Sequence, residues 1–237
     1  MSIGVIGGLG PMATVVYMKK VVSMTDASRD QDHPDMIVFS SPSVPDRTAY
    51  ILGESSDSPL PAMLEMASKL DAAGVDVIAV PCITARYFNS EIGGSVGVPV
   101  IHGVEGTASY LKRNGYSRVG IMATSGSIRS GVIASVLESY GIEAVIPDDE
   151  GQKTVTSLIY DSVKCGKPAD MDALHKVRDE LMSRGAQICL LGCTELSVIS
   201  DSCDIGDGFF DILDMLAAQS VVMGGGRLRE EYQYLVE

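Results

Sequence analysis

Two short segments constrain this chain more than any other feature: VPCITARYF at residues 80–88 and LGCTEL at residues 191–196. In each, a Cys follows an apolar run, and a Thr follows the Cys within two positions. The runs are VDVIAV (75–80) and ICLL (188–191). Cys82 and Cys193 stand 111 residues apart, and Gly74 and Gly185 repeat the same spacing. The repeat is wider than these corners. VIGGLGPMATVVYMKKVV (5–22) echoes IMATSGSIRSGVIASVL (121–137), and KLDAAGVDVIAVPC (69–82) echoes LMSRGAQICLLGC (181–193). Self-similarity at this length points to two like domains rather than to a solenoid of short repeats.

Short apolar runs alternate with helix-compatible stretches. Strands are predicted at 3–7, 36–41, 75–80, 98–101, 118–123, 143–147 and 188–191. Near-continuous apolar strands suit parallel sheets covered on both faces. The segments 61–74, 131–141 and 171–185 read as amphipathic helices ending at Gly. The expected fold is α/β, with two pseudo-symmetric doubly wound domains, parallel sheets and an active site in the cleft between them. The expected boundaries are 1–99 plus 207–237 for the N-terminal domain and 100–206 for the C-terminal domain. Doubly wound sheets bind ligands at the carboxyl ends of their strands, where both Cys corners lie.

The formal net charge of −13 over 237 residues argues against nucleic acid or an anionic membrane as partner. The N-terminus, MSIGVIGGLGP, has no basic leader pattern, and no apolar stretch reaches membrane-spanning length. Five Cys residues, an odd number, fit reduced thiols in the cytosol, so a cytoplasmic protein is expected.

A Cys at a strand-to-helix corner lies near a helix N-terminus, which favours the thiolate. Two such sulfurs facing one cleft could remove a proton from one face of a carbon acid and return it to the other. A lone Cys at a strand end is ordinarily a small core hydrophobe. The residues alone leave both readings open for Cys82 and Cys193. The core reading is preferred for Cys165, Cys189 and Cys203, whose spacing suits no zinc site.

The segments IGVIGGLGPMAT (3–14), PDRTAYIL (45–52), VPCITA (80–85), ATSGSIRSG (123–131), IYDSVKCGK (159–167), LGCTEL (191–196) and FFDILDML (209–216) together resemble the aspartate/glutamate racemase superfamily, most closely its aspartate racemase branch. The resemblance implies a cofactor-independent isomerase, without pyridoxal phosphate or metal, that inverts an acidic amino acid. It implies Cys82 and Cys193 as the acid/base pair and Arg47 and Lys164 as partners of the side-chain carboxylate. It further implies Gly8, Thr84, Thr124, Ser125, Thr194 and Glu195 as substrate-binding positions, with the three Thr near the α-carboxylate. The first Cys motif of that branch reads Cys-Asn-Thr-Ala-His, whereas here Ile83 and Arg86 replace the Asn and the His. Ile83 removes a polar contact and puts the substrate in question. Arg86 either adds a cation near the cleft or points to solvent.

Other signals are weaker. GLGPMA (8–13) fits the dinucleotide-binding pattern, but MIVFSS lacks the acidic residue that should end the second strand, so the turn is read as lining a substrate pocket. His33, His102 and His175 are scattered and take no role. Two further readings stay open: a non-catalytic dicarboxylate-binding protein, and a related isomerase or decarboxylase. An isologous homodimer is the default assembly.

Overall fold

The apolar runs pair as parallel strands in two four-stranded sheets in the computed structural model, which describes residues 1–236. The first sheet contains β1 (Ser2–Gly7), β2 (Asp35–Ser40), β3 (Val77–Ala79) and β4 (Val100–Ile101), in the order β2-β1-β3-β4. The second contains β5 (Arg118–Met122), β6 (Glu143–Val145), β7 (Cys189–Leu191) and β8 (Phe209–Asp211), in the equivalent order β6-β5-β7-β8. Every pairing is parallel. β3 and β7 are buried throughout, as strands covered on both faces must be.

The 111-residue repeat is a repeat of packing. Asp76 N donates to Ser2 O at 3.0 Å, and Gln187 N donates to Arg118 O at 2.9 Å. Gly4 in β1 leaves room for Leu70, and Gly120 in β5 leaves room for Leu181; a Cβ on either glycine would sit 3.1 Å from a leucine methyl. Gly74 (φ 77°) and Gly185 (φ 92°) both turn the chain from helix to strand in the left-handed region, which a side chain would disfavour.

Helix Leu60–Ala72 covers one face of the first sheet, and helices Pro11–Met24 and Ile212–Met223 cover the other. On the second sheet, Val104–Arg113 and Ala134–Ser139 lie on one face and Asp149–Ser157 and Met171–Ser183 on the other. Tyr17, fully buried, donates its hydroxyl to Ser220 at 2.6 Å and so locks the first helix of the chain to its closing helix.

Strand pairing shifts the expected domain limits. Val100–Ile101 pairs with β3, so the first sheet runs past residue 99; Phe209–Asp211 pairs with β7, so the second runs past residue 206. The chain therefore crosses between the halves near Gly103 and again near Ile212. The two crossings touch: a Cβ on Gly103 would lie 2.8 Å from Ile212 O. Residue 237, the expected end of the N-terminal domain, lies outside the described residues. β8 had no counterpart among the predicted strands, because its three residues pass directly into a helix. Among the described residues, no helix is long and apolar enough to cross a membrane.

Candidate active site

Cys82 ends the turn after β3 and precedes the short 3₁₀ segment Ile83–Phe88; Cys193 ends the turn after β7 and precedes helix Thr194–Ser202. Both residues are extended, with φ of −153° and −138°. Their side chains line one narrow pocket of about 10 Å³, together with Leu9, Arg47, Thr84, Thr124 and Lys164. One thiol is supplied by each half. Both residues are buried.

The surroundings of the two sulfurs are opposite in sign. Cys193 Sγ donates to Glu195 Oε2 at 2.9 Å. Burial, and then the Glu195 carboxylate, push the Cys193 thiol well above its usual range. The expectation that a helix N-terminus would favour the Cys193 thiolate is thus corrected: desolvation and a carboxylate in contact outweigh a partial helix charge. Beside Cys82 lies the Arg47 guanidinium. Burial works against that charge, but the Cys82 sulfur and Asp46 more than offset it and hold Arg47 protonated.

Arg47 begins helix Arg47–Leu52, for which Asp46 is the N-cap, accepting from Ala49 N at 2.9 Å. Its guanidinium is anchored: Nη1 donates to Pro45 O at 3.0 Å and to Val44 O at 3.3 Å, and Nη2 donates to Leu9 O. Nε is buried without a hydrogen-bond partner. Lys164 reaches in from the other half, with Nζ 3.4 Å from Asp46 Oδ2, 3.9 Å from Glu195 Oε1 and 4.5 Å from the centre of the Tyr160 ring. Burial opposes its charge, while Glu195 and its other neighbours raise its pKa. The Tyr160 hydroxyl is pushed up to about 12, chiefly by burial.

A hydroxyl cluster bridges the halves on the inner wall. Thr84 Oγ1 lies 3.0 Å from both Thr124 Oγ1 and Ser127 Oγ, and Thr124 donates to Ser127 at 3.1 Å. Thr194 donates to Pro81 O at 3.3 Å. Gly8 lines a larger outer vestibule of about 390 Å³ with Pro11, Met12, Val44 and Val163; Leu9, Asp46, Arg47, Lys164 and Glu195 border both spaces. Ser125 is not brought to either space, and its hydroxyl lies 3.4 Å from Thr156 Oγ1.

Ile83 is fully buried and presents an apolar wall to the cavity. Arg86 takes neither expected place: Nε and Nη2 donate to Glu105, and Nη1 donates to Val132 O at 3.2 Å, which ties the first half to the second. Asp46, Thr48, Ser127 and Tyr160 were not singled out from the sequence. Two of them carried a signal. Asp46 sits in the N-cap position before Arg47, and Tyr160 lies one helical turn before Lys164.

The Asp/Glu/hydantoin racemase family profile matches residues 6–227. A broad specificity amino-acid racemase of Bacillus subtilis is 32% identical over 205 residues, covering 84% of this chain and 87% of that protein. The structure of an aspartate racemase from Picrophilus torridus is 31% identical, covers 100% of both chains and superposes with a TM-score of 0.84. A glutamate racemase of Francisella tularensis, solved with D-glutamate, shares the fold at 20% identity and a TM-score of 0.64, over 93% of this chain and 80% of that one.

Proposed function

The chain belongs to the Asp/Glu/hydantoin racemase family, and from that membership we propose that it interconverts L- and D-aspartate without a cofactor, by proton transfer between two opposed cysteines. The observation that carries this reading is the single cavity lined by Cys82 from one half and Cys193 from the other.

Cys82 acts first as base. Its thiolate, with Arg47 beside it, takes the α-proton; the C–H electron pair passes into the α-carboxylate, giving a planar carbanion. Cys193, held as a thiol by burial and Glu195, gives its proton to the opposite face. The product is the other enantiomer, with the proton now on Cys82 and the negative charge on Cys193. In reverse the roles exchange. Thr84, Thr124 and Thr194 offer hydroxyls to the α-carboxylate, and Arg47 and Lys164 supply positive charge for the β-carboxylate. The likeness to the Picrophilus aspartate racemase supports that choice of substrate.

A broader substrate range is favoured by one observation. The vestibule beyond Lys164 is walled by Pro11, Met12, Val44, Val163 and Val198, which suits larger apolar side chains, and the Bacillus relative is a broad specificity racemase.

Proton NMR of L-aspartate with the protein in heavy water tests the reading. Loss of the α-proton signal with growth of D-aspartate is expected. Saturable binding without exchange would instead identify a dicarboxylate-binding protein.

A further inference from the structure

We propose that Glu195 receives the substrate's α-ammonium on Oε1 while its Oε2 holds the proton of Cys193, so that one carboxylate serves both binding and proton transfer. This rests on the racemase reading and gives one residue of that site a specific double role.

Glu195 is buried yet borders both the inner cavity and the vestibule. Its two oxygens are in different situations. Oε2 accepts from Cys193 Sγ at 2.9 Å. Oε1 is buried and has no hydrogen-bond partner. Lys164 Nζ, at 3.9 Å, supplies charge from beyond hydrogen-bond distance. A buried acceptor left unpaired is costly, so an oxygen placed this way on a cavity wall calls for a donor. The glycine turn keeps the position clear: a Cβ on Gly10 would fall 2.6 Å from Oε1.

Among the groups on an amino acid's α-carbon, only the ammonium is a cationic donor, and it lies one bond from the carbon that Cys193 serves. A substrate carboxylate would be repelled at Glu195 and accepted at the Thr84, Thr124 and Thr194 hydroxyls. The cavity therefore sorts the substituents, ammonium toward Glu195 and carboxylate toward the threonine hydroxyls, and this sorting fixes which face each thiol meets. An ammonium paired with a carboxylate also keeps its positive charge next to the carbanion as it forms.

The test uses the full-length protein and compares L-aspartate with succinate, which has the same carbon skeleton without the amine. Protection of Cys193 from iodoacetamide is read by peptide mass spectrometry across pH, for wild type, Glu195→Gln and Lys164→Gln. In wild type, half-protection by aspartate should need at least about tenfold less ligand than by succinate, the scale of a charge-assisted hydrogen bond. Glu195→Gln should erase that preference and move the onset of Cys193 alkylation to lower pH, because a negative neighbour has been removed. Equal protection by the two ligands in wild type overturns the proposal without any variant. So does a Glu195→Gln protein that keeps its aspartate preference, or one whose alkylation profile has not moved. Loss of the preference in Lys164→Gln alone would make Glu195 merely the partner of that lysine and likewise overturn it. If wild type exchanges the α-proton of no amino acid, the racemase reading fails separately, and the alkylation profile still decides whether Glu195 holds the Cys193 proton.

Discussion

Lys164 Nζ lies 3.4 Å from Asp46 Oδ2, and the two residues come from opposite halves of the molecule. Both border the pocket that holds the two thiols and the vestibule outside it. A substrate carboxylate aimed at Lys164 must compete with Asp46 for it. Asp46→Asn keeps the oxygen that caps helix Arg47–Leu52 while removing the competing charge. Steady-state kinetics should therefore show a lower KM for aspartate in Asp46→Asn and a higher KM in Lys164→Gln. A higher KM in both would show that the pair acts as one binding unit.

Replacing either thiol should stop inversion but should not leave equivalent enzymes. Cys82→Ser and Cys193→Ser are each expected to lose about 10³-fold or more in racemisation, within the range for a lost general acid or base. In Cys193→Ser the Cys82–Arg47 pair is intact, so exchange of the α-proton with heavy water should persist for one enantiomer only, with retained configuration. Chiral chromatography combined with deuterium incorporation checks this. Unchanged racemisation in either variant would falsify the two-thiol scheme.

Arg47→Lys should damage stability as well as catalysis. The guanidinium bridges the carbonyls of Leu9, Val44 and Pro45, which a single ammonium cannot reach together. Each buried carbonyl left unpaired costs about 1–3 kcal/mol. A drop in the melting temperature is expected, together with weaker aspartate binding. A variant that melts with wild type would show that water takes over the anchoring role.

His102 should make the protein acid-sensitive. Its ring is buried with neither nitrogen partnered, and desolvation lowers its pKa to about 4, with Glu105 opposing and Arg86 assisting. The unfolded chain takes up this proton near 6.5, before the folded protein does, so stability falls as pH drops from 6.5 toward 4. By linkage the loss amounts to about 3 kcal/mol. Urea denaturation of wild type should show this decline, and His102→Leu should flatten it. An equal slope in the variant would assign the effect to other groups.

Much of this was legible because it repeats. The seven predicted strands, the parallel sheets and the paired corners follow from apolar runs and from a constant spacing that carries Leu70 onto Leu181 and Gly74 onto Gly185. The eighth strand was not legible, since the apolar character of Phe209 and Phe210 runs straight into the helix beginning at Ile212. At the site, the sequence supplied the residue types but not their neighbours. Arg47 is fixed by Leu9, 38 residues away, and Asp46 meets Lys164 across 118 residues. The environment of Cys193 was misjudged for a related reason: a helix end can be read from sequence, but the approach of the Glu195 side chain to the sulfur depends on its rotamer and on the space left by Gly10.

The crossings at Gly103 and Ile212 touch, so the backbone passes from one half to the other at a single place. Each four-stranded sheet is complete on its own side of that spine, and its hydrogen-bonded strand pairs all lie within one half.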